Sequence, residues 1–131
     1  MNTRFLKLAA IFGALAVIAG AMFTHSLKNN IPLRAAEIYE TAVRYQFYHV
    51  FALLATGILG EKFQGPWLNR AGYCFIAGIL LFSGSLFFIS ALITKGISVP
   101  LILGILTPTG GLGFILGWVF LSIAVWKGRP S

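Results

Sequence analysis

The sequence predicts an all-α fold, an integral membrane bundle of four helices. Three observations predict it. Of 131 residues, 58% are hydrophobic and only 10% charged, against about 25% charged in an ordinary soluble domain. Four stretches each reach the roughly 20 apolar residues that cross a bilayer. The charges fall almost entirely between those stretches. A chain this short allows one domain, residues 1–131.

The first span is residues 5–24, interrupted only by Lys7. A secretory leader is the competing reading: Arg4 and Lys7 form a basic start, and Ala19-Gly20-Ala21 has the small-x-small form of a cleavage site. We carry it as a retained span. The second is residues 41–60, preceded by a segment with Lys28, Pro32, Arg34, Glu37 and Glu40 that runs into an early helical turn. The third is residues 71–93, after a loop holding Glu61, Lys62, Gly65-Pro66 and Arg70. The fourth is residues 101–126. It contains Thr107-Pro108-Thr109-Gly110-Gly111, which predicts either a kink or a re-entrant segment with the helix proper starting near Gly111.

Ten Lys and Arg against three acidic residues give a net charge of +7. The basic residues are scattered singly and form no basic face, so no nucleic-acid partner is expected. They flank apolar runs, as orientation signals do. Arg4, Lys7, Lys62, Arg70, Lys127 and Arg129 make six on one side; Lys28, Arg34, Arg44 and Lys95 make four on the other, or three if Arg44 lies within the helix. The expected placement is a bacterial inner (plasma) membrane, multi-pass, with both termini cytoplasmic. The single cysteine, Cys74, cannot form an intrachain disulfide.

Small residues at helical spacing mark packing faces in lipid. Gly13, Ala16 and Gly20 share a stripe on the first span, Ala77, Gly84 and Ala91 on the third, and Gly113 and Gly117 form a GxxxG pair on the fourth. Ionisable and polar residues inside a span turn toward the bundle or water. Glu40 and Arg44 have the spacing and order of a helical ion pair. Antiparallel topology gathers the polar side chains in the half of the bundle away from the termini. The candidate polar site is therefore His25, Tyr45, Gln46, Tyr48, His49, Ser83, Ser85, Thr107 and Thr109.

Several segments resemble a known family: Gly20-Ala21 through His25-x-Leu27-Lys28; Thr41-Ala42-Val43-x-Tyr45-Gln46-x-Tyr48-His49 running into Ala52-Leu53-Leu54; Leu81-Phe82-Ser83-Gly84-Ser85-Leu86; Thr107-Pro108-x-Gly110-Gly111; and Gly117-Trp118. Together they resemble domain-of-unknown-function family 423, small four-helix membrane proteins of bacteria with a eukaryotic relative, transmembrane protein 256. Phe23 stands where the family has a glycine, and Phe87 where a tyrosine is common. The resemblance implies fold and membrane location and no activity.

Three functions compete. The first is a non-catalytic accessory, assembly or lipid-binding protein, which needs only packing faces and a polar groove. The second is a small oligomeric transporter or channel using the polar site around His49, the titratable residue placed mid-helix. The third is a haem or metal protein using His25 and His49. Two histidines without carboxylate or cysteine partners make a poor zinc site, and no phosphate loop, nucleophile elbow or carboxylate pair is present. No cofactor, metal site or catalysis is expected. The expected partners are the lipid bilayer and a second copy or larger membrane complex.

Overall fold

The computed structural model describes residues 1–128; Arg129 of the orientation count lies outside them. The chain forms α1 (Thr3–Leu27), α2 (Leu33–Leu59), α3 (Trp67–Thr94) and α4 (Leu101–Lys127), with no strand among the described residues. Proline opens three of them: Pro32, Pro66 and Pro100 stand just before α2, α3 and α4, where a missing N–H costs nothing. Asn2 caps α1, its side-chain oxygen accepting from the Phe5 amide at 3.2 Å. At the end of α3, Gly96 takes a left-handed φ of 71°. Ile97 then donates to Leu92 at 2.9 Å and Gly96 to Ile93 at 3.1 Å, the two bonds of a Schellman cap.

Each helix runs antiparallel to its neighbour in sequence. Tyr39 reaches the Ala19 carbonyl at 2.8 Å, Gln46 the Phe12 carbonyl at 2.8 Å, and the Asn2 amide the Gly57 carbonyl at 2.9 Å. These contacts align α2 with α1 from end to end. Ser90 donates to Ala35 at 2.7 Å and Ser83 to Ala42 at 2.9 Å, which aligns α2 with α3. By length and apolar composition α1, α3 and α4 are able to cross a membrane. α2 is less apolar, because Arg44, Gln46 and His49 interrupt it, but its alignment puts it in the same slab. The outside is apolar: Val17 is 60%, Leu80 57% and Ile115 61% exposed. Water would not tolerate that surface and lipid does.

Packing rests on glycines that receive aromatic rings. Gly72 faces Phe5, Gly78 faces Phe114 and Gly117 faces Phe75, each too close for a Cβ. Phe5 and Phe75 are fully buried in a core with Ala9, Ala52, Leu53 and Ala71. Gly110 meets the α3 backbone at Leu81–Phe82 with no room for a side chain. There α3 widens into a π turn, Ile79–Ser83.

The fourth segment is one continuous helix from Leu101, with Pro108 inside it, so the re-entrant alternative does not apply. Pro108 cannot serve the Gly104 carbonyl. Thr107 and Thr109 donate to the flanking Leu103 and Ile105 carbonyls at 3.1 and 2.7 Å. The Gly13–Ala16–Gly20 stripe faces α2, with Ala16 fully buried. The Ala77–Gly84–Ala91 stripe faces outward instead, and a Cβ on Gly84 would meet nothing. The family departures fall together: Phe23 stacks on Tyr39 at 5.6 Å and Phe87 packs edge-on against the same ring at 5.0 Å.

Candidate functional site

α2 carries the centre of the site because its inward face presents Gln46 and His49 at 5% exposure each. His49 lies between α3 and α4. Its Nδ1 is 2.7 Å from the Tyr45 carbonyl, and Trp118 Nε1 donates to its Nε2 at 3.1 Å. A carbonyl only accepts and an indole N–H only donates. The network therefore assigns the neutral tautomer with the proton on Nδ1. The ring stacks on Phe114 at 3.5 Å and 9° and meets Phe75 at 5.8 Å. Gly78 leaves the space in which Phe114 sits. Both nitrogens and one ring face of His49 are thus committed.

Beside it, a cleft of about 640 Å³ opens between α2 and α4, lined on α4 by Pro108, Gly111, Leu112 and Ile115 and edged by Tyr45, His49 and Trp118. Its walls are apolar. Tyr45 is 38% exposed and packs on Phe82 at 4.8 Å. Its hydroxyl has no partner among the described residues.

The other nominated residues divide. Ser83 is buried and donates across to α2. Ser85 and Thr107 join α3 to α4 through hydroxyls 2.6 Å apart. Ser85 also lies 3.0 Å from the Phe82 carbonyl and Thr107 3.1 Å from that of Leu103. Two hydroxyl protons fill only two of these three bonds at once. Tyr48 is 52% exposed and meets Tyr45 at 5.8 Å. Thr109 is exposed and bonds its own helix. His25 is exposed in the π turn Phe23–Leu27 that ends α1. The structure does not bring it to His49. No group of three or more His, Cys, Asp or Glu among the described residues is placed to hold a metal.

The polar groups therefore form two sets. Ser85, Ser90, Thr107 and Tyr39 stitch the half away from the termini. Ser83, Gln46, His49 and Trp118 occupy the middle. Trp118 and Phe114 were absent from the nominated residues, although their spacing of four puts both on one face of α4. No buried side-chain nitrogen or oxygen among the described residues lacks a partner.

A family model described as "Protein of unknown function (DUF423)" matches residues 19–111. All nine nominated residues lie within the match, while Phe114 and Trp118 lie beyond it. The chain is similar to the UPF0382 membrane protein YwdK of Bacillus subtilis, 37% identical over 124 residues, 94% of this chain and 96% of that one. It is similar to the UPF0382 membrane protein SAB0533 of Staphylococcus aureus, 37% identical over 123 residues, 94% and 95% of the two chains. The UPF0382 membrane protein SSP2132 of Staphylococcus saprophyticus is 35% identical over 123 residues, 94% and 97%. No solved structure matches.

Proposed function

We propose, for a chain that belongs to the DUF423 family of membrane proteins, that it is a non-catalytic accessory protein holding a lipid chain in the α2–α4 cleft. The observation that carries this reading is the state of His49. It is the one ionisable side chain among the buried described residues, and Trp118 and the Tyr45 carbonyl occupy both its nitrogens. A general base or proton relay needs a free lone pair or a mobile proton; this imidazole offers neither without breaking a bond. The transporter reading and the haem reading both depend on such a free nitrogen. The cleft beside it has the apolar walls and lateral opening that suit an acyl or isoprenoid chain. The unpartnered Tyr45 hydroxyl supplies one donor to an oxygen on that ligand.

The test is native mass spectrometry of the gently solubilised protein. The wild type is expected to retain lipid. Ile115→Trp, which fills the cleft from an exposed position, is expected to lose it with the helical fold kept. Equal retention by both overturns the reading.

Basic residues support the orientation. Arg4, Lys7, Lys62, Arg70 and Lys127 lie at the end of the bundle that holds the termini. Lys28, Arg34 and Lys95 lie at the other, since Arg44 is mid-helix. That bias favours both termini in the cytoplasm of a bacterial cell. Reagent labelling of single cysteines placed in the 60–66 loop checks it.

A further inference from the structure

The outward face of α2 carries charge at the depth where lipid accepts it least. Between Arg70 and Lys95, α3 has no charged residue, and the centre of that run falls at Ser83. Ser83 donates to the Ala42 carbonyl at 2.9 Å, so Ala42 is level with the middle of the slab. Arg44 is two residues on, about 3 Å along the axis. From α4, Phe114, near its midpoint, stacks on His49, five residues or about 7.5 Å past Arg44 on α2, so the levels read from α3 and α4 bracket Arg44. Arg44 is exposed, and so is Glu40 one turn away. Neither has an ion pair or hydrogen bond of its side chain among the described residues, although their spacing allows one.

An unpaired arginine or acid at the centre of a membrane helix is strongly disfavoured in lipid. Snorkelling relieves this near helix ends, but the half-thickness of the hydrocarbon is about 15 Å, beyond the reach of an arginine stem from the middle. The same face carries Glu37, Tyr48 and Phe51, all exposed. Its charges are self-complementary: acid and base lie one turn apart on one stripe. A two-fold axis along the bundle keeps every residue at its own depth and lays a stripe against its copy. Acid and base then stand one turn, about 6 Å, apart in depth, and each arginine side chain reaches along the stripe to the other chain's acid, twice over.

We propose that this face is the contact between two copies of the chain, with Arg44 of each copy paired to Glu40 of the other. The occupant is a second copy because the stripe supplies both partners of the pair. The contact is independent of the lipid cleft.

The test uses the full chain in phosphatidylcholine vesicles, with energy transfer between two labelled populations. The wild type associates. Glu40→Arg leaves the stripe with two bases and Arg44→Glu with two acids, and each alone associates on the order of a hundredfold more weakly. The two variants mixed recover transfer, as does the doubly exchanged E40R/R44E chain. Misfolding of a single variant does not imitate this, because the mixture contains the same chains. Wild-type transfer at the level of random proximity overturns the proposal. So do single reversals that associate like the wild type, and a mixture that stays at background. Recovery of the wild type only as a one-to-one complex with a different protein also overturns it.

Discussion

On the inward face of α2, Gln46, His49 and Thr56 each spend their polar atoms on the Phe12 carbonyl, on Tyr45 and Trp118, and on the Ala52 carbonyl. On the outward face of the same helix, Glu40, Arg44 and Tyr48 spend theirs on nothing among the described residues. Both faces stand at similar depth. The difference separates two uses of polarity in a membrane. Inside, each polar group is matched and acts as mortar between helices. Outside, unmatched groups raise the cost of leaving the chain alone. A polar residue in a span therefore says little until its partner is known.

Four substitutions sharpen or break this contrast. The largest effect is expected where polarity plays no part. Gly110→Leu drives a side chain into the α3 backbone at Leu81–Phe82, which cannot rotate away. It should destabilise the bundle by about 3 kcal/mol, read as a fall in thermal midpoint in detergent. His49→Ala strands the Trp118 N–H and unstacks Phe114; a loss of about 2 kcal/mol is expected. An unchanged midpoint would show that the inward network is not structural. Ser83→Ala removes one bond between α3 and α2 and should cost about 0.6 kcal/mol, the average for such bonds in membranes. Tyr48→Phe, on the outward face, should shift the midpoint by less than about 0.5 kcal/mol. A Tyr48 effect as large as that of His49 would erase the distinction between the faces.

Much of the fold was legible because lipid simplifies the code: long apolar runs, charges between them, and prolines at three helix starts. The polar site was legible in part. Gln46, His49, Ser83 and Ser85 were read as inward from their place within spans, and they are buried. Three features were hidden. Spacing shows which small residues share a face, not where the face points, so the Ala77–Gly84–Ala91 stripe turned out to be external while Gly72 and Gly78 make the contacts. Pro108 suggested a break because proline ends helices in water, whereas neighbouring hydroxyls and a glycine contact keep α4 intact. His25 and His49 looked like a pair only because two antiparallel spans bring the ends of neighbouring helices to the same side. Their levels differ, since His25 ends α1 and His49 lies deep within α2.

The π turn at Ile79–Ser83 has a further consequence. There the Gly84 amide reaches back five residues to the Ile79 carbonyl, so the turn holds one residue more than an ordinary helical turn. α3 thereby absorbs a one-residue insertion locally, and Ser85 and Ser90 downstream keep their facing. A chain lacking Leu80, which is 57% exposed, would close the turn to ordinary pitch with the faces on either side unrotated. Loss of one residue elsewhere in α3 would swing every later side chain by about 100°. This short stretch is where the length of α3 is free to drift by a single codon.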